Sequence, residues 1–112
     1  MSYFKPSEFA CKCCGSIGIN PDFVKMLEEA REVAGVPFVI TSGYRCPKHN
    51  KAVGSTSTNH TSGKAADIKA ADGPTRGKIL RGLYLAGFKR VGVAKDFIHA
   101  DISDSVESCW LY

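Results

Sequence analysis

No stretch of this sequence approaches the roughly 18 consecutive apolar residues that a membrane span needs, so it offers no candidate transmembrane helix. Its opening, Met1-Ser-Tyr-Phe-Lys-Pro6, lacks the charged, apolar and small-residue order of a signal peptide. The expectation is therefore synthesis in the cytoplasm without Sec-type export, so any task outside the cell would need another route. There is no internal repeat, low-complexity tract or linker, and 112 residues leave room for one hydrophobic core. The basic residues from Lys48 to Arg90 form no run and no nucleic-acid-binding motif accompanies them. The net charge of +4 thus implies only a mild preference for anionic partners. Five cysteines is an odd number, which excludes complete disulfide pairing within the chain. With 44% hydrophobic and 23% charged residues, what remains is an ordinary globular domain.

Helix signals are most complete from Asn20 to Gly35. Asn20 can cap the first free amides, Pro21 suits the first helical position, and Asp22 complements the positive end of the dipole. Phe23, Leu27, Ala30 and Ala34 make one apolar stripe, and Gly35 supplies a left-handed stop. Val36–Thr41 is a β-rich run broken by Ser42-Gly43. Pro47 opens a short helix through Ala52 that Gly54 ends, and 54–59 is a polar loop. Ala65–Ala70 alternates as a strand. Asp72-Gly-Pro74 starts a further helix with Ile79, Leu80, Leu83 and Ala86 facing inward and Gly87 ending it. Gly77 and Gly82 weaken that helix by roughly 1 kcal/mol each, so packing must hold it. Phe88–Val93 and Phe97–Ile102 form a hairpin about Ala94-Lys95-Asp96. The result is a single α+β domain: a cysteine-rich segment (about 1–19), a core (about 20–104) and a short tail ending Trp110-Leu-Tyr112 that packs on the domain.

Histidine is scarce, with three in the chain, and two of them stand in patterns with aspartate. One is His60-Thr-Ser-Gly-Lys-Ala-Ala-Asp67; the other is Asp96-Phe-Ile-His99-Ala-Asp101. Imidazole and carboxylate suit a borderline cation such as zinc, and three protein ligands with one open position make a catalytic site. His60, Asp67 and His99 are the candidate trio. On a strand, His99 and Asp101 share a face, so Asp101 can hold the His99 ring from behind. Asp96, just before that strand, is placed to act as a general base toward water at the metal. Taken singly, His60 is better explained as a polar loop residue, His99 as a half-buried strand histidine and Asp67 as a strand or turn residue.

The surrounding words carry more. Thr58-Asn-His60-Thr-Ser-Gly63-Lys-Ala65-Ala-Asp67-Ile68 resembles the Ser-x-His-x-x-Gly-x-Ala-x-Asp-Ile signature of the D-alanyl-D-alanine carboxypeptidase family of zinc peptidases. That family includes phage L-alanyl-D-glutamate endolysins and is related to the vancomycin-resistance dipeptidases and the hedgehog fold. Phe97-Ile-His99-Ala-Asp101 resembles its His-x-Asp strand, and Ile40-Thr-Ser-Gly-Tyr-Arg45-Cys-Pro its Ser-Gly-Tyr-Arg turn. The likeness runs in order from about Ser7 to Asp104. It implies a hedgehog-like α+β domain with a mainly antiparallel sheet packed by helices. It also implies Zn2+ held by His60, Asp67 and His99, with Asp96 as the catalytic carboxylate. Arg45 is implied as the arginine that contacts substrate and steadies the oxyanion. Thr58 stands where the family has serine beside the substrate, which keeps the hydroxyl and adds a methyl. The implied activity is hydrolysis of peptidoglycan stem peptides, either D-Ala-D-Ala carboxypeptidase or L-Ala-D-Glu endopeptidase, by a monomer of the phage or prophage endolysin type. The protein would act on the wall after release or as part of a phage particle. The alternative is a non-catalytic zinc-containing wall-binding or virion module of the same fold. Net charge alone leaves a third, basic nucleic-acid-binding domain as the least supported.

Cys11, Cys13 and Cys14 with Cys46 admit a second, structural metal, one disulfide, or reduced and partly buried thiols, the last being preferred slightly. Cys109 has no assigned role.

Overall fold

The helix expected from Asn20 to Gly35 forms as α1 (Pro21–Ala34), with the Asn20 side chain accepting from the Asp22 and Phe23 N–H groups and Gly35 left-handed at φ 71°. The computed structural model describes residues 3–52, 60–103 and 106–112. A 3-10 turn (Pro6–Phe9) precedes α1. Then follow β1 (Ile40–Ser42), α2 (Pro47–Ala52), β2 (Ala65–Lys69), α3 (Gly73–Leu85), β3 (Arg90–Val93), β4 (Phe97–Asp101) and β5 (Ser108–Leu111). The Asp72 carboxylate caps α3 by accepting from the Thr75 N–H at 2.8 Å.

The strands make one sheet in the order β1-β2-β4-β3-β5. Three of its pairings are antiparallel, and the edge pair β3–β5 is parallel. Strand alternation sends Ala66, Ile68, Val91, Ile98 and Ala100 to one face, where they are fully buried with Phe23, Leu27, Ile79 and Leu83 of the helices. The Phe23 and Phe88 rings meet edge-on at 5.9 Å in this layer. Truncating either would cost about 3–5 kcal/mol. The opposite face carries Asp67, His99 and Asp101, so the core holds the polar face by its back. No helix among the described residues is long and apolar enough to cross a membrane.

Three details depart from expectation. The first strand is shorter and later than Val36–Thr41: Pro37 has no N–H to give, Phe38 is buried in the core, and a bulge falls between Ile40 and Ser42. Ser42 thus belongs to the strand instead of breaking it. The C-terminal tail is a strand, with Val91 opposite Cys109 and Gly92 opposite Trp110. Gly82 is a contact residue: a Cβ there would strike the Ala30 carbonyl oxygen and lie 2.8 Å from the Ala34 Cβ, so glycine lets α3 close on α1. The 54–59 loop and the helix end at Gly54 lie outside the described residues.

Candidate active site

The β2–β4 register sets Asp67 directly opposite His99, which brings two polar side chains together on the face of the sheet away from the helices. His60 reaches the same point from the turn over 60–63 that leads into β2. That turn depends on Gly63, whose φ is 73° and whose missing side chain leaves room for the Gly18 carbonyl. The Asn20 N–H donates to the Gly63 carbonyl at 2.8 Å, fastening the turn to the start of α1. His60 and His99 are buried, with ring centroids 5.3 Å apart, and Asp67 is half-buried.

Each histidine has one nitrogen committed away from the centre. His60 Nδ1–H donates to the Gly43 carbonyl at 2.7 Å, leaving Nε2 3.6 Å from Asp67 Oδ1. His99 Nε2–H donates to Asp101 Oδ2 at 2.7 Å, leaving Nδ1 3.0 Å from the same Asp67 oxygen. One ligand atom from each of His60, Asp67 and His99 lies within 4.8 Å of the others. A tetrahedral ion with bonds of about 2.0–2.2 Å fits such a donor set, and the outward nitrogens carry the backing hydrogen bonds that metal-bound histidines require.

Electrostatics without an ion point the same way. Burial raises the Asp67 carboxyl, but the His60 and His99 rings outweigh it and hold the group well below the usual carboxylate range. Burial lowers His99, but hydrogen bonds to Asp101 and Asp67 outweigh it and raise the ring above its ordinary value. Asp101, nearly inaccessible, is lowered: His99 and the Ser103 N–H more than offset burial. Its other oxygen accepts from Arg90 Nε at 2.8 Å. The site thus draws a positive charge toward Asp67, which a divalent cation would supply in place of the His99 proton.

Arg45 flanks the cluster with Nη2 3.7 Å from Asp67 Oδ2. Its fork is steadied by Nε–H donation to Ser42 Oγ and Nη1–H donation to Asn50 Oδ1, both at 3.2 Å. Its own N–H donates to the His60 carbonyl at 3.2 Å, so the Ser-Gly-Tyr-Arg turn and the His60 turn hold each other.

The structure therefore brings together His60, Asp67, His99, Asp101 and Arg45. Asp96 stands apart: it is exposed in the turn before β4, and its carboxylate is bonded to no described side chain. Its carbonyl accepts from the Ala70 N–H at 2.9 Å. Thr58 lies outside the described residues. Sequence reasoning missed Arg90 and Trp110. Arg90 was within reach, because the hairpin register that pairs Val93 with Ile98 also pairs Arg90 with Asp101. Trp110 had no such signal; its ring lies 5.4 Å from that of His99, and it occupies the space where a Cβ on Gly92 would be.

The L-Ala D-Glu endopeptidase ChiX of Serratia marcescens has a similar fold, with a TM-score of 0.58 and 21% identity over 77% of this chain and 81% of that one. No curated protein matches the sequence significantly. Residues 2–101 match the model of the family described as Peptidase M15, a span that takes in the Arg45 turn, the His60 turn and all of β4. The chain belongs to the peptidase M15 family.

Proposed function

We propose that this chain is a zinc metallopeptidase that hydrolyses peptidoglycan stem peptides, with His60, Asp67 and His99 as the metal ligands. The observation that carries the reading is the convergence of these three side chains, each histidine turned so that its second nitrogen is anchored elsewhere. Bound there, zinc supplies Lewis acidity toward a scissile carbonyl and toward water.

The chain's own groups do the rest. Asp101 and the Gly43 carbonyl fix the two imidazoles in the orientation and tautomer that coordination needs. Asp96, exposed in the turn before β4, is assigned on the motif alone to take the proton of the attacking water and return it to the departing amine. Arg45, held as a fork by Ser42 and Asn50, binds the carbonyl oxygen as charge develops on it. No serine or cysteine nucleophile is required. Thr58 is assigned to the substrate side of the cleft on the motif alone.

The likeness to a protein named as an L-Ala D-Glu endopeptidase supports cleavage of that bond over D-Ala-D-Ala carboxypeptidase action. The motifs favour an enzyme of the phage or prophage endolysin type. Metal analysis with digestion of purified peptidoglycan, before and after chelation, tests the reading. Chelator-sensitive new termini are expected, with fragment masses placing the cut between L-Ala and D-Glu. Bound zinc without cleavage would instead favour a non-catalytic wall-binding module, and a metal-free, chelator-insensitive protein would sink the proposal.

A further inference from the structure

A second cluster of metal-binding side chains lies outside the site just described. The Sγ atoms of Cys11, Cys13, Cys14 and Cys46 all lie within 4.8 Å of one another. Cys13 Sγ is 3.6 Å from Cys11 Sγ and 3.2 Å from Cys46 Sγ. Four thiolates around one zinc at about 2.3 Å stand roughly 3.8 Å apart by tetrahedral geometry. These two spacings fall a little short of that value and no pair in the cluster exceeds 4.8 Å, whereas a disulfide would need about 2.05 Å.

The backbone is shaped for the same purpose. Cys11-Lys-Cys13-Cys14-Gly15 contains a Cys-x-x-Cys spacing followed by a glycine at φ 73°. The Gly15 N–H closes the turn on the Cys11 carbonyl at 2.8 Å, and the Cys46 N–H points at Cys11 Sγ at 3.4 Å.

We infer that Cys11, Cys13, Cys14 and Cys46 bind a structural zinc ion that clamps the N-terminal segment to the loop after Arg45. Four sulfur ligands and no place left for water make this a closed site, unlike the three-ligand site on the sheet. Its location gives it a role in the same chemistry. Cys46 follows Arg45 directly, the Tyr44 N–H donates to the Phe9 carbonyl at 2.8 Å, and a Cβ on Gly43 would lie 2.6 Å from the Phe9 Cα. The clamp thus presses the 3-10 turn onto the segment that carries Arg45 and the Gly43 carbonyl. That last consequence rests on the catalytic reading; the metal assignment does not.

The experiment is zinc stoichiometry of the full chain purified under reducing conditions, in the wild type, His60→Ala and Cys46→Ser, with cobalt substitution in each. Two zinc ions per wild-type chain are expected and one in each variant. Thiolate-to-cobalt charge-transfer absorption should persist in His60→Ala and vanish in Cys46→Ser. If Cys46→Ser does not fold, thiol titration of the wild type serves instead: four of the five cysteines should resist modification until a chelator is added. One zinc in the wild type and none in His60→Ala would overturn the clamp while leaving the sheet site standing. One zinc in both, with the thiolate band in both, would support the clamp and remove the sheet site. Immediate reaction of every thiol, bound iron, or a Cys13–Cys46 disulfide in the reduced preparation would each overturn it.

Discussion

His99 and Asp101 lie two residues apart on β4, share one face of the sheet, and are joined by a 2.7 Å hydrogen bond from Nε2 to Oδ2. This bond leaves Nδ1 as the nitrogen turned toward Asp67. Asp101 is itself held by Arg90 and by the Ser103 N–H, so the orientation of His99 depends on a fixed carboxylate. Asp101→Asn keeps the shape and removes the charge. Zinc affinity is expected to fall about 10–100-fold, read by competition with a chromophoric chelator. Unchanged affinity would mean that Trp110, tilted against the ring, sets the orientation by itself.

Asp96 and His60 are expected to separate catalysis from metal binding. Asp96→Ala should keep the sheet-site zinc and lose about 10²–10⁴-fold in turnover on a stem peptide. His60→Ala should lose that zinc and turnover together. Equal zinc loss in the two variants would make Asp96 a ligand and refute its role as base.

Arg45→Lys tests whether the fork geometry matters beyond the charge. Lysine cannot reproduce simultaneous bonds to Ser42 and Asn50 while presenting a further N–H to substrate. A drop of about 10²–10³-fold in kcat is expected, with zinc content unchanged. If kcat holds and only KM rises, Arg45 binds substrate without stabilising the transition state.

Much of this architecture was legible where the signals are local. The limits of α1 followed from Asn20, Pro21 and Gly35, because cap, first turn and stop are each decided within a few residues. The facing of His99 and Asp101 followed from strand alternation, and the pairing of Asp67 with His99 completes it. What escaped was non-local. Ser108–Leu111 has no alternation to announce a strand, since three of its four side chains are exposed and its parallel partner lies many residues earlier. The bulge that carries Ser42 to Asp67 arises from β1–β2 pairing, which no property of Ile40-Thr-Ser42 encodes by itself. The cysteines were ambiguous because their convergence depends on where Cys46 falls once the turn after β1 has packed on Phe9.

Gly77 and Gly82 are the sharpest case of chemistry that looks equal in sequence and differs in the fold. Both sit inside α3, where alanine is intrinsically the better helix former by about 1 kcal/mol. A Cβ on Gly77 meets nothing within 4 Å, so Gly77→Ala should stabilise by about 0.5–1 kcal/mol. A Cβ on Gly82 strikes the Ala30 carbonyl and crowds Ala34, backbone and core that cannot swing aside. Gly82→Ala should therefore destabilise by about 1–3 kcal/mol despite the better propensity, because α3 must lift from α1. Urea midpoints at constant m-value measure both. Stabilisation by both substitutions would mean that the α1–α3 contact yields at little cost. The helical layer behind β2 and β4 would then be too soft to hold Asp67 and His99 in register.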